Sequence, residues 1–410
     1  MTRDPALDAH APALRDGRSL PPGDAAVPQL HGLLDAGAMK AALERSLRNG
    51  AAVEDVRVTL IDYVPGHGAT VAYDVAVAGT RHTAVATAGH ALCPAALRTD
   101  ARRAVARALG RESPVARPLT YDVRLGALLQ WDPLDLALPV LARPVPELLR
   151  LVARAGIDVD ADADAARTLL YRPGQRAVLR AGGVVLKAYA EDAAFRAGVA
   201  GPRLHGALGD VRLTVQAAID GTPVPRSGAR GIAPVAGAML RVLHGAPAAG
   251  MDAAPPRRML ASAARGAAIT CAVAPGLAPR TRNLLARLEE HAPEPGELVL
   301  SHGDFNVSQF LRTEGALSVL DFDEACRAPR ALDLASYAAN LVSGRSGDLA
   351  HADAALDALL EGYGERPDGL AWYYAASLLR RAPSPFRLHK RRWTRRMESI
   401  VAAAEAVLAR

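Results

Sequence analysis

Early in the chain, three short runs rich in apolar and β-branched residues read as strands, Val56 to Leu60 with strict alternation, Ala69 to Val77 and Thr83 to Ala86. A period of two puts every second side chain on one face of a strand, and the turn formers Pro65-Gly66 and Gly79 separate the runs. Three strands joined by tight turns are therefore predicted. Helical spacing precedes them, from Gln29 through Leu33, Leu34 and Met39 to Leu47, with Asn49-Gly50 as the stop. A further helix is predicted over Ala95 to Leu109. Residues 1–27 are rich in Pro, Ala and Asp without a period and are expected to be a disordered lead-in.

The same order then returns. Apolar residues from Leu136 to Leu151 lead into a helix, and Ala161-Asp162-Ala163-Asp164 makes a polar break. Strand patterns follow at Thr168 to Leu170, Ala177 to Leu179 and Val184 to Leu186. Tyr63-Val64-Pro65-Gly66 and Tyr171-Arg172-Pro173-Gly174 occupy matching places, which marks the two regions as a duplicated unit. One difference matters. The third strand of the second copy reads Leu186-Lys187-Ala188-Tyr189, whereas the first reads Val85-Ala86-Thr87-Ala88 and has no lysine. A helix is predicted over Asp192 to Leu208, a strand over Val211 to Ala218, and a hinge-like turn at Asp220 to Pro223. Residues 232–292 read as Ala/Leu/Arg helices broken near 245–256 and 274–279. Helices are also expected over Leu332–Val342, His351–Tyr363, Leu370–Leu379 and Arg395–Leu408.

Between these helical regions lies Leu298 to Asp333, which concentrates the candidate chemistry. Leu298-Val299-Leu300 delivers His302-Gly303-Asp304 to a loop. An apolar arm from Phe310, a turn at Thr313-Glu314-Gly315 and a return arm Leu317 to Leu320 predict a hairpin. Its open end brings Gln309 beside Asp321, with Asp304 just upstream. Two carboxylates and an amide oxygen suit a hard cation such as Mg²⁺, which is commonly held by one or two protein groups and by substrate phosphates. Asp304 is the candidate base for a substrate hydroxyl. His302 is expected to pack the loop, Asp323 to point the same way as Asp321 if the strand continues, and Asp333 to cap the next helix and brace the loop. Lys187 is the candidate phosphate ligand, because a compact ammonium reaches between phosphate oxygens.

Composition changes this picture little. Half of the 410 residues are apolar, enough for two or three domains with substantial cores. The net charge of +6 is spread over well-mixed charges and favours acidic ligands only weakly. Lys40, Lys187 and Lys390 are the only lysines, so Lys187 stands out in an Arg-rich chain. The basic run Arg387 to Arg396 is expected to be a solvated helix face, and no nucleic-acid partner is expected from it. Cys93, Cys271 and Cys326 show no ligand spacing and fit a reducing compartment. With neither a leader-like segment nor a membrane span in the pattern, a cytoplasmic, soluble protein is expected.

Taken together, these residues resemble the kinase-like aminoglycoside phosphotransferases, choline kinases and related small-molecule kinases. His302-Gly303-Asp304 with Gln309, then Leu320-Asp321-Phe322-Asp323, then Ala331-Leu332-Asp333-Leu334 is similar to that family's catalytic loop, metal-binding segment and following structural aspartate. The resemblance covers about residue 165 to the C-terminus. It implies an α+β, two-lobed fold, with a small β-rich N-lobe and a helical C-lobe, preceded by a partial, degenerate copy of the N-lobe. The corresponding segments are 1–27, 28–130, 131–222 (N-lobe and hinge) and 223–410 (C-lobe). It also implies ATP (or GTP) as co-substrate, Lys187 on its phosphates, Asp304 as catalytic base, Gln309 and Asp321 as Mg²⁺ ligands, and a small-molecule hydroxyl acceptor. Where the family has a metal-binding Asn, this chain has Gln309. The helix after Lys187 contains no Glu to pair with it, leaving Glu191 or Asp192 nearby. That departure keeps two other readings open, a non-catalytic kinase-like partner protein and a kinase for Ser/Thr of a modified peptide. The acid-poor C-terminal helices disfavour a polycationic aminoglycoside as acceptor and leave sugars, nucleosides, other antibiotics and peptides open.

Overall fold

The computed structural model describes residues 19–48, 50–89, 114–248, 250–294, 296–344 and 347–410. They fall into two compact units. The first runs to Asp192 and includes His205–Ala217 and Phe386–Arg392; the second holds Ala193–Leu204, Ala218–Pro385 and Trp393–Arg410.

Both strand-rich regions lie in the first unit. Helices α1 (Leu30–Leu34) and α2 (Ala36–Glu44) replace the single helix expected there. Asp35 breaks it: its backbone is extended, and its carboxylate accepts the Ala38 N–H at 2.7 Å as an N-cap. Strands β1 (Val53–Val64), β2 (Gly68–Val77), β3 (Thr80–Gly89), β4 (Leu119–Asp122) and β5 (Ala127–Trp131) form a sheet in the order β1-β2-β3-β5-β4. The helix expected over 95–109 lies outside the described residues. After α3 (Val145–Arg154) come β6 (Arg167–Arg172), β7 (Arg176–Ala181), β8 (Val184–Tyr189), α4 (Asp192–Val199), β9 (Leu204–Leu208) and β10 (Leu213–Ala217). These strands are ordered β6-β7-β8-β10-β9, the first pattern over again. The helix expected to reach Leu208 stops at Val199 because Gly201-Pro202 breaks it, and the chain returns as β9.

Register aligns the two sheets residue by residue. Tyr63 pairs with Ala69, which pairs with Ala88; Tyr171 pairs with Ala177, which pairs with Ala188. Thr87 therefore occupies the place of Lys187, and its hydroxyl meets that of Thr70 at 3.2 Å. A shared clamp confirms the alignment. Asp24 accepts the Tyr63 hydroxyl at 2.7 Å and the Gly66 N–H at 2.9 Å. Asp135 accepts the Tyr171 hydroxyl at 2.9 Å and the Gly174 N–H at 2.8 Å. The clamping aspartates sit in matching segments, Pro22-Gly23-Asp24-Ala25-Ala26-Val27-Pro28 and Pro133-Leu134-Asp135-Leu136-Ala137-Leu138-Pro139, a similarity the turn motif alone did not expose.

Burial and the Asp135 charge push the Tyr171 phenol well above its ordinary pKa, so it stays a donor. The Tyr63 and Gly66 donors hold the Asp24 carboxyl below the usual range. Its contribution to stability is present above about pH 4 and is lost as the pH falls through the depressed folded value. Tyr171→Phe is expected to cost about 1–2 kcal/mol in urea unfolding, since it strips a buried carboxylate of one donor. An unchanged midpoint would show that the clamp contributes nothing net.

The second unit is mostly helical. Strand β11 (Thr222–Pro223) follows the Asp220 turn. Helices α5 (Ala229–His244), α6 (Pro256–Val273) and α7 (Ala278–Glu290) lead to β12 (Val299–Ser301), β13 (Phe310–Thr313), β14 (Ala316–Val319) and β15 (Cys326–Ala328). Then come α8 (Ala331–Gly344), α9 (Leu349–Tyr363), α10 (Leu370–Arg381), the short α11 (Ser384–Arg387) and α12 (Trp393–Leu408). Thr222 and Pro223 pair with Arg312 and Leu311, adding a third strand to the β13–β14 hairpin. The core is built on small side chains such as Ala335, Ala338, Ala375 and Ala376 around Tyr337 and Leu359. A strand-rich N-terminal region and a helical C-terminal region make the chain α+β.

The basic run departs from expectation. Residues 388–392 lie between α11 and α12, and His389 and Trp393 are 5% and 1% exposed. Within the first unit, Arg387 donates to Asp62 at 3.1 Å, and Phe386 packs edge-on against Tyr63. Two apolar or ring-bearing side chains among the arginines draw the segment inward, so it is not a solvated helix face. Among the described residues, no helix is long and apolar enough to cross a membrane.

Candidate active site

Strand β12 pairs with β15, Val299 opposite Ala328 and Ser301 opposite Cys326, and so fixes where the 302–306 loop begins. Asp333 holds that loop. It was expected to cap its helix, but α8 starts at Ala331 and places Asp333 in the first turn, fully buried. Its carboxylate accepts the His302 N–H at 2.8 Å and the Gly303 N–H at 2.9 Å. His244, at the end of α5, contacts the same carboxylate through Nε2 at 3.2 Å and the Tyr363 hydroxyl through Nδ1 at 2.8 Å. A carboxylate accepts, so His244 donates to it from Nε2, and Nδ1 shares a hydrogen bond with the Tyr363 hydroxyl. A buried polar chain from Tyr363 thus ends on the loop. Gly303 is required by the geometry: its φ is +83°, and a Cβ would lie 2.0 Å from the Glu324 carbonyl oxygen. His302 packs as expected, donating to the Leu320 carbonyl at 2.8 Å with its ring against Phe322.

Asp304 is partly exposed, at 32%. Its Oδ1 accepts from Arg381 at 2.8 Å and lies 3.8 Å from the Arg380 guanidinium. Arg381 also donates to Ser336 on α8 at 3.2 Å. Downstream, the Asn306 amide donates to the Asp304 carbonyl at 2.7 Å, and its oxygen accepts the Ser308 N–H at 3.0 Å. The Gln309 carbonyl accepts the Leu320 N–H at 2.8 Å, continuing the Phe310–Val319 pairing. The hairpin mouth therefore sets the backbones of Gln309 and Leu320 together, with Asp321 next.

Asp321 is left-handed, with φ 63° and ψ 65°, a conformation that costs a non-glycine residue about 1–2 kcal/mol. It ends the strand and starts a 3₁₀ turn over Phe322–Glu324. The strand does not continue, so Asp323 is not in the alternating position the sequence suggested, and it is 6% exposed. Among the described residues, no three His, Cys, Asp or Glu side chains cluster as metal ligands. Gln309 and Asp321 are a small set of hard oxygen donors, which fits Mg²⁺ completed by phosphates and does not fit a closed thiolate or imidazole site.

Lys187 belongs to the first unit. It lies in β8 opposite Val178 of β7 and Thr214 of β10, and is 7% exposed. Glu191 is exposed just before α4, and the Asp192 carboxylate accepts from Arg212 at 3.3 Å.

Sequence reading missed His244, Arg380 and Arg381. His244 falls four residues after Leu240 on a buried helix face, a readable signal. The two arginines end an otherwise apolar helix, a weaker one. Desolvation and the Arg381 charge hold the Arg380 guanidinium down at about 10, although a third of its side chain meets solvent.

Residues 170–374 match the sequence model of the phosphotransferase enzyme family (APH), half of the chain, and the chain belongs to that family. The matched residues include Lys187, the Asp304 loop and Asp333. Among solved structures, macrolide 2'-phosphotransferase MphH from Brachybacterium faecium is 22% identical, over 63% of this chain and 97% of that one, with a TM-score of 0.39. A choline/ethanolamine kinase family protein from Mesorhizobium loti is 18% identical, over 65% and 96%, with a TM-score of 0.45. Choline kinase from Cryptosporidium parvum Iowa II is 10% identical, over 64% and 95%, with a TM-score of 0.48. A search of curated proteins returned no match.

Proposed function

We propose that the chain transfers the γ-phosphoryl group of ATP (or GTP) to a hydroxyl of a small molecule, with Mg²⁺, in the cytoplasm where those nucleotides are found. The observation that carries this reading is the Asp304 loop, held by the buried Asp333 carboxylate, with Gln309 and Asp321 at the ends of the hairpin that follows it. Lys187 is assigned to the nucleotide phosphates, and Gln309 and Asp321 to the metal. Bound there, Mg²⁺ would neutralise charge on the phosphate oxygens. Asp304 orients the acceptor hydroxyl and takes its proton. The acceptor oxygen forms a bond to the γ-phosphorus, the bond to the bridging oxygen breaks, and the nucleoside diphosphate leaves with that electron pair. Because positioning and charge neutralisation supply most of the catalysis, the missing α4 glutamate does not by itself remove the chemistry.

The test is thermal unfolding with ATP or GTP, with and without Mg²⁺, on the wild type and on Lys187→Met. A metal-dependent rise in Tm that shrinks in the variant supports the assignment. If Mg-nucleotide leaves the wild-type Tm unmoved, the phosphotransferase reading fails and a non-catalytic partner protein takes its place.

A further inference from the structure

Two guanidinium groups lie at Asp304, and a third, that of Arg226, lies against α8 farther along the helix that Arg381 contacts. Arg381 bonds its carboxylate at 2.8 Å and Arg380 lies at 3.8 Å. Arg226, in the turn before α5, is desolvated and feels the Arg381 charge, which together hold its pKa down. No carboxylate of the described residues lies within ion-pair distance of Arg226, and the Nε atoms of Arg380 and Arg381 are buried without a partner. Glu324 also favours the charged form of Arg380, and Arg265 opposes it. Like charges in a partly dry site repel, so this arrangement sets two carboxylates, Asp304 and Glu324, against a larger number of guanidinium groups.

Helix α8 is shaped around two of these arginines. Ser336 accepts from Arg381 at 3.2 Å. At Gly344, two turns on, a Cβ would sit 2.2 Å from Arg226 Nη1, so the helix omits a side chain where that guanidinium lies. Asn340, midway between them at four-residue spacing, shares their helix face. It is 6% exposed, yet its side-chain oxygen has no protein partner. A buried polar atom of that kind ordinarily has a partner.

We propose that the acceptor is an anion, a hydroxyl compound bearing a carboxylate or phosphate group that Arg226 and Arg381 bind beside Asp304. This rests on the phosphotransferase reading and adds the charge of the second substrate. Guanidinium forks match such groups with two parallel hydrogen bonds. Arg380 and Arg381 lie at the residue assigned to the acceptor hydroxyl, Arg226 lies along the same face of α8, and none of the three is on the β13–β14 hairpin whose ends carry the assigned metal ligands. When the acid group takes Arg381, Asp304 Oδ1 is released to meet the hydroxyl. A cationic acceptor would face repulsion at the same place.

Binding by calorimetry without nucleotide tests this, with glycerate against glycerol, gluconate against sorbitol, and glucose 6-phosphate against glucose and glucosamine. The acidic members should bind at least about 10-fold tighter than their counterparts. That preference should shrink in Arg226→Gln, Arg381→Gln and Gly344→Ala, each checked for an intact fold by circular dichroism. Equal binding of acidic and neutral members, or tighter binding of glucosamine, overturns the proposal while leaving Mg-nucleotide binding intact. A rise in the KM for ATP in Arg381→Gln, with acid preference unchanged, also overturns it, because the arginine then serves the nucleotide. An acid preference without any Mg-nucleotide effect on Tm upholds the arginine site and removes the phosphotransferase reading, so the two fail separately.

Discussion

Asp304→Asn is expected to lower kcat by about 10²- to 10⁴-fold, the usual worth of a positioned acid–base group. The amide keeps the size of the side chain and can still accept from Arg381, but it cannot take a proton from the acceptor. Because Asp304 is a third exposed, losing its charge should cost the fold about 1 kcal/mol or less, despite the two arginines beside it. The Mg-ATP effect on Tm should therefore survive. Steady-state kinetics paired with thermal unfolding decides the matter. A variant that loses nucleotide binding together with turnover would mean that Asp304 props up the loop rather than serving the reaction.

The largest loss of stability is expected at Asp333. Its carboxylate receives the N–H groups of His302 and Gly303 and the Nε2 proton of His244, all in a fully buried place. Asp333→Asn keeps the shape but replaces one acceptor oxygen with an NH₂ group aimed at donors. A buried donor left facing a donor costs its desolvation, and a charge-assisted bond is lost as well, so about 2–4 kcal/mol is expected. Urea unfolding measures it, and a cost below about 1 kcal/mol would refute the claim that this carboxylate anchors the loop. Turnover should fall too, since the loop that positions Asp304 loses its anchor.

Local chemistry was legible and long-range chemistry was not. The hairpin from Phe310 to Val319 follows from two apolar arms and a glycine turn, but its register brings Gln309 to Leu320, one residue short of the Asp321 that was expected beside it. Strands β1–β3, β6–β8 and β10 were visible in the pattern, whereas β4, β5 and β9 were not. Helix limits were less so: Asp35 divides one expected helix by capping, and Gly201-Pro202 shortens another. Asp323 was misplaced because a single left-handed residue, Asp321, turns the chain out of the strand, and nothing in the residue type demands that. The contact between Asp304 and Arg381 joins residues 77 apart and depends on how α8 and α10 pack. Periodicity carries no information about such a pair. The Arg-rich, acid-poor character of the C-terminal helices was visible, but only the fold shows which arginines converge.

Two sheets of identical strand order in one chain also create a kinetic hazard during synthesis. Every strand of one sheet has a near-equivalent in the other, and tandem modules of this kind are prone to exchange partners before either is complete. Strand length differs between the leading strands of the two sheets. β1 and β2 run for 12 and 10 residues, whereas β6 and β7 run for six each. A swapped pairing would leave several residues of the longer strand with their N–H and C=O groups unmatched, a steep penalty in any buried setting. The unequal lengths separate β1 and β2 from β6 and β7, whereas β4, β5, β9 and β10 run for four or five residues each and offer no such distinction.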